Sequence, residues 1–137
     1  MDDLYTDSAK RVMAIAQEQA NYFRHQAIGT EHLLLALTIE DKGVAGQVLK
    51  QAMVTPGDVR REIERLAGYG NLLRQSPSNY LPYSPKAKAV LDETRKQAFL
   101  TGAVRIGTEH FLLALLSDEA ILSSRILTSL HVDCKKL

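Results

Sequence analysis

The sequence predicts an all-α protein made of two tandem copies of one helical unit, and three observations carry that expectation. The ten residues Ile28–Leu37 return at Ile106–Leu115 with a single change, Leu33 becoming Phe111. The same offset of 78 residues runs through the chain without a gap, pairing Tyr5 with Tyr83, Thr6 with Ser84, Val12 with Val90, Ala20 with Ala98, Leu49 with Leu127 and Val54 with Val132. Finally, apolar residues recur every three or four positions, and no stretch shows the two-residue alternation of a strand.

The elements follow in order. Thr6 is a good N-cap, and Ala9, Val12, Met13, Ala16 and Ala20 form the inner stripe of a first helix over Asp7–Phe23. Glu31–Ile39 is apolar on nearly every side after its first turn, which suits the buried centre of a unit. A third helix spans Gly43–Ala52. Thr55-Pro56-Gly57-Asp58 then reads as a cap, a first-turn proline and a capping-box acid opening a fourth helix, which ends near Gly68. Gly68–Pro82, rich in Gly, Asn, Ser and Pro, reads as a linker. The second unit repeats the pattern, with Ser84 and Pro85 opening a helix over Pro85–Thr101, a central helix at Glu109–Leu116 and a third at Ala120–Leu130. Asp133 would cap a fourth helix that Leu137 cuts short, so the chain reads as part of something longer.

Composition narrows the function. At 137 residues the chain can bury roughly 65–70% of its unfolded surface. Lys plus Arg (17) nearly balance Asp plus Glu (16) and Trp is absent, which argues against a nucleic-acid surface. Arg60, Arg61 and Arg65 alternate with Glu62 and Glu64 in the manner of a solvated face. The longest apolar runs, Leu33–Leu37 and Phe111–Leu116, fall far short of the ~20 residues of a membrane span. One cysteine, Cys134, permits no internal disulfide, and no signal peptide is visible, so a cytoplasmic setting is expected.

No phosphate loop, dinucleotide glycine string or serine hydrolase elbow is present, so no catalytic residue and no cofactor site is expected in this chain. Glu31-His32 and Glu109-His110 are poor metal sites, because three and four residues after each His stand only Leu and Ala. Each His is expected to pack under its helix start with one ring nitrogen hydrogen-bonded. Thr30 and Thr108 read most simply as N-caps, each followed by a Glu that complements the helix dipole.

The same string also suits recognition. A Gly that permits close approach, a Thr hydroxyl and free first-turn N–H groups form an anion cradle, yet the Glu would repel a bare phosphate. A ligand carrying both signs resolves that conflict. Arginine phosphorylated on its guanidinium has a phosphoryl group for the N–H donors and planar N–H groups for the carboxylate.

The doubled block, the helix starts Thr6–Ala9 and Ser84–Ala87, and Ala-Gln-Glu-Gln-Ala at Ala16–Ala20 together resemble the Clp N-terminal domain. The Gly-Thr pair before Glu-His is similar to the ClpC branch of bacterial AAA+ unfoldases. That resemblance covers essentially the whole chain. It implies two four-helix repeats packed with pseudo-twofold symmetry: residues 1–67, a linker at 68–82, and 83–137 with its last helix truncated, together one globular domain. It further implies a monomeric, non-enzymatic domain that recruits substrates and MecA-type adaptors to a hexameric ATPase feeding the ClpP peptidase, with ATP bound in domains beyond this chain. Phosphoarginine sites would lie at Gly29, Thr30 and Glu31 and at Gly107, Thr108 and Glu109, with His32 and His110 in support. A free-standing accessory protein docking on the Clp protease is the alternative, which a Gly-x-x-x-x-Gly-Lys-Thr loop downstream would exclude.

Two departures stand out. Arg24-His25 in the first unit is Gly102-Ala103 in the second, and Ala27 is replaced by Arg105, so the two pockets are expected to differ. The basic start of the fifth helix, Lys86 and Lys88, is a candidate adaptor surface.

Overall fold

A computed structural model describes residues 4–70, 81–118 and 120–132. Among these residues the chain forms seven helices and no strand: α1 (Asp7–Tyr22), α2 (Thr30–Ile39), α3 (Val44–Gln51), α4 (Pro56–Leu66), α5 (Pro85–Leu100), α6 (Thr108–Leu116) and α7 (Leu122–Ser129). The all-α expectation holds, with boundaries moved by one or two residues. Asp133 and Cys134 lie outside the described residues, as does 71–80 of the expected linker.

The predicted caps act as their chemistry requires. The hydroxyls of Thr6, Thr55 and Ser84 accept from the N–H groups of Ala9, Asp58 and Ala87, each at 3.1 Å. At the other end, α4 stops because Gly68 turns left-handed at φ +66°. The turn after α1 needs the same conformation, which Arg24 adopts at φ +58° where the second unit has Gly102 at φ +70°. α7 begins at Leu122 rather than Ala120, because Asp118 holds the Ala120 N–H at 2.9 Å in the preceding turn.

The central helices fill the core. Leu33, Leu34, Leu35, Ala36 and Leu37 of α2 are all fully buried. In α6 the repeat is less perfect: Phe111 and Leu115 are fully buried, but Leu113 is 42% exposed where its counterpart Leu35 is closed off. α6, expected like α2 to be the buried centre of its unit, is thus open to solvent at Leu113 and half-buried at Leu116. α2 packs against α4, whereas α6 has no matching fourth-helix neighbour among the described residues.

The two units are tied reciprocally. The segment before α1 pairs with the residue before α6, and the segment before α5 pairs with the residue before α2, giving bridges Tyr5 to Ile106 and Tyr83 to Ile28. The hydrogen bonds correspond one to one: Thr6 and Ser84 donate to the carbonyls of Ile106 and Ile28 at 2.9 Å, while Ile106 and Ile28 donate to Leu4 and Pro82 at 2.7 and 2.8 Å. Contacts follow the same exchange, with α2 on α7 matched by α3 on α6, and α2 on α5 matched by α1 on α6.

Burial sets a mutational expectation. Leu35→Ala should cost about 2–5 kcal/mol in urea unfolding, as for any closed core leucine. Leu113→Ala should cost about 1 kcal/mol or less, since much of its side chain already meets water. Equal losses at the two positions would contradict the packing described.

Candidate functional site

The helix starts of α2 and α6 are assembled from both units. Gly29 and Gly107, not the threonines, are the N-caps, with extended backbone at φ −100° and −106°. Thr30 and Thr108 already belong to the first helical turn and are 2% exposed, and their hydroxyls serve the opposite unit. Thr108 Oγ1 accepts from the Ala45 N–H at 3.1 Å and Thr30 Oγ1 accepts from the Ser123 N–H at 3.3 Å. Each threonine thus caps a third helix across the interface, α3 or α7, and the expectation that it caps its own helix is corrected. Gly43 before α3 leaves room for this, since a Cβ there would collide with the Thr108 side chain.

The histidines complete the first turns as expected, and with more partners. His32 Nδ1 accepts from the Gly29 N–H and His110 Nδ1 from the Gly107 N–H, both at 2.8 Å, so each imidazole caps in the manner of a third-position Glu or Gln. That partner fixes the tautomer and leaves Nε2 protonated. His110 Nε2 faces the Thr101 hydroxyl at 3.3 Å. In the first unit His32 Nε2 instead meets His25 Nδ1 at 2.8 Å, and His25 Nε2 donates to the Gly68 carbonyl at 2.7 Å. A relay runs from the end of α4 through two rings to the start of α2.

His25, Glu31 and His32 bring ligand-type atoms within 4.8 Å of one another, a cluster missed by looking only along one helix face. The missed partner comes from the preceding loop. Its chemistry is that of a relay. A cation on His32 Nε2 would have to displace the proton there and reverse the tautomer, leaving the Gly29 N–H without its acceptor.

Both glutamates fold back over their glycines. A Cβ at Gly29 or Gly107 would collide with the carboxylate of Glu31 or Glu109, so glycine here makes space for an anion. Glu31 accepts from its own backbone N–H at the positive end of α2, while burial raises its carboxyl pKa despite that bond and the nearby His25. In the described structure the carboxylate itself sits at the cradle.

A pocket of about 450 Å³ opens beside the first of these starts, lined by His25, Gly29, Thr30 and Glu31 from one unit and by Ser84, Lys86 and Leu122 from the other. Lys86, which the sequence suggested only as an adaptor contact, reaches this pocket, whereas Lys88 is simply exposed. The pocket therefore brings a helix start and its carboxylate beside a residue of the other unit, Lys86, at the start of α5.

The reciprocal caps can be tested by removing a hydroxyl at near-constant shape. Thr30→Val and Thr108→Val should each lower unfolding stability by about 1 kcal/mol, the usual worth of an N-cap. The two losses should be additive, because the caps lie in different helices. No loss at either position would show that the cross-unit bonds contribute nothing.

His32 gives a pH expectation. Burial, with His25 beside it, holds its pKa down from 6.5 to about 3, so below about pH 6.5 the unfolded chain binds a proton that the folded chain refuses. Its contribution is full above that pH and is lost as pH falls, by at most about 1.4 kcal/mol per unit. His32→Gln retains an N3 acceptor but cannot titrate. Between pH 6 and 5 its stability should fall about 1 kcal/mol less than that of the parent; parallel curves would contradict this.

Known proteins share this sequence pattern and fold. Residues 4–130 match the family described as the Clp repeat (R) N-terminal domain. The ClpC/MecB negative regulator of genetic competence of Bacillus subtilis is 36% identical over 132 residues, covering 96% of this chain and 16% of that protein. The ATP-dependent Clp protease ATP-binding subunit ClpC of Staphylococcus aureus is 37% identical over 131 residues, with the same coverage of 96% and 16%. The chaperone protein ClpB of Oceanobacillus iheyensis is 34% identical over 132 residues, again 96% of this chain and 16% of the relative. This chain thus spans about 16% of the length of these curated relatives. The solved N-terminal domain of the chaperone ClpD from Arabidopsis thaliana has the same fold, with a TM-score of 0.79 at 20% identity over 97% of this chain and 88% of that one. The Hsp104 N-terminal domain from Candida albicans follows at 0.74 and 22%, covering 96% and 84%. A helical repeat joined through reciprocal helix starts, matched over nearly its full length, makes this chain a member of the Clp repeat N-terminal domain family.

Proposed function

We propose that the chain is the recruiting domain of a Clp ATPase and that it reads phosphoarginine at its two Gly-Thr-Glu-His helix starts. The observation that carries this reading is a helix start that glycine leaves open to an anion and that holds its own carboxylate, beside a pocket whose lining includes Lys86 of the other unit. A phosphoryl group would take the first-turn N–H donors and Lys86, displacing the Glu31 carboxylate, which then turns to hold the guanidinium. Gly107, Thr108 and Glu109 supply the equivalent start in the second unit. His32 and His110 would support these sites from below, and Thr30 and Thr108, whose hydroxyls already accept from the opposite unit, would offer the ligand their backbone N–H groups.

ATP turnover, assembly into a hexamer and coupling to ClpP would belong to parts of the protein outside this chain. A MecA-type adaptor would use the outer surface. No helix among the described residues is long and apolar enough to cross a membrane, and the proposed place of action is the cytoplasm.

Calorimetric titration with matched peptides carrying arginine, phosphoarginine or phosphoserine tests the reading. Phosphoarginine should bind at two sites per chain, with phosphoserine and plain arginine weaker by about tenfold or more for want of one charge partner. Glu31→Ala and Glu109→Ala should each remove one site and the double variant should bind nothing, all with intact helical circular dichroism. Phosphoserine binding as well as phosphoarginine, or full binding by the double variant, would overturn the proposal.

A further inference from the structure

We infer that the second unit carries a docking pocket for an unmodified arginine side chain of a partner protein, set between α5 and the turn from α6 to α7 and independent of phosphoarginine recognition. The first unit shows the occupant, because the equivalent place there is filled by an arginine of the chain itself.

The 78-residue offset aligns the two places residue by residue. In the first unit Arg11 of α1 reaches Glu40, the residue that caps the end of α2. Its Nε donates to Glu40 Oε2 at 2.9 Å, and its Nη2 donates to the Ser8 hydroxyl at 3.1 Å. Beside that guanidinium Glu40 is only 5% exposed, and its other oxygen accepts from the Gly43 N–H at 2.8 Å. In the second unit Ala89 stands at the position of Arg11, Asp118 at that of Glu40 and Lys86 at that of Ser8. The acid is kept, and the arginine that pairs with it is gone.

In its place is a cavity of about 220 Å³ lined by all three of these residues and by Glu93. It is smaller than the ~300 Å³ at which small-molecule sites begin and suits one side chain. Val90, Ala114 and Ile121 supply apolar wall for the methylene stem of an arginine. Asp118 is exposed where Glu40 is closed off. Its Oδ1 accepts from the Ala120 N–H at 2.9 Å, which leaves Oδ2 without a partner among the described residues. Glu93 likewise accepts from the Gln97 amide at Oε2, at 2.8 Å, and Oε1 has no partner among the described residues.

Charge decides what enters. The lining carries two carboxylates and one ammonium, an excess of one negative charge, whereas Arg11 and Glu40 balance each other in the first unit. Lys86 is exposed and forms no ion pair among the described residues, so it occupies neither carboxylate. A guanidinium brings one positive charge and no anion of its own, which restores the balance. Its planar fork can also serve two separate carboxylate oxygens, where a lysine ammonium acts as a point charge. Phosphorylation of that arginine would set a phosphoryl group against both carboxylates, so this pocket favours the unmodified side chain.

Amide chemical-shift titration of the chain with acetyl-arginine amide tests the pocket, with acetyl-lysine amide and free arginine for comparison. The arginine amide should give saturable shifts at Ala89, Glu93, Asp118 and Ile121, and the lysine amide should bind about threefold more weakly or worse. Asp118→Asn keeps an acceptor for the Ala120 N–H while removing the charge, and should weaken binding at least about threefold. Ala89→Arg, which restores the arrangement of the first unit, should fill the pocket and abolish the shifts. Equal binding of the lysine amide, shifts unchanged in both variants, or shifts confined to Gly29–Glu31 and Gly107–Glu109 would overturn the pocket. Free arginine binding several-fold more tightly than the blocked form would mark an amino-acid site and overturn the docking of a partner protein. Phosphoarginine recognition stands or falls separately, since this titration contains no phosphoryl group.

Discussion

Everything in this fold depends on how the first turns of α2 and α6 are satisfied. These helices are nearly all apolar and run through the centre of the molecule, so their N–H groups start in a region with little water to receive them. The solution is reciprocal. A histidine at the third position accepts from the capping glycine, the threonine at the first position caps a helix of the other unit, and the residue just before pairs with the other unit's chain. Neither unit can close its central helix without the other, which explains why a repeated sequence gives an interlocked pair rather than two beads.

That constraint also creates the candidate site. Buried, polar and positive at one end, a helix start attracts an anion, and the glycine leaves space for one. In the described structure the space holds the unit's own glutamate. A carboxylate that caps its helix in the free protein and can turn outward on displacement is a ready partner for a cationic group delivered beside a phosphoryl. On the proposed reading the same residue would satisfy the helix when the site is free and contribute selectivity when it is filled.

The repeat, the helix order and the three side-chain caps were legible because they depend on residues three or four positions apart. Thr30 and Thr108 look like caps of their own helices because their true partners stand 93 and 63 residues away, and spacing along one helix carries no signal of them. Carrying the 78-residue offset into the interface would have exposed the exchange, since a bond from one unit to the other must recur in reverse. Lys86 and His25 reach the site for the same reason, from a second unit and a preceding loop. Leu113 departs from Leu35 because a near-exact repeat of sequence does not impose a repeat of environment. α2 has α4 beside it, and α6 has no such neighbour among the described residues.

The central claim is that each Gly-Thr-Glu-His start is a composite anion site built by both units. Amide chemical-shift mapping during titration with free phosphoarginine tests it most directly. The account predicts saturable shifts at Gly29–Glu31 and Gly107–Glu109, accompanied by the cross-unit amides of Ser123 and Ala45 that the threonine hydroxyls hold. Saturable shifts confined to other surfaces, with these amides unmoved, would contradict it.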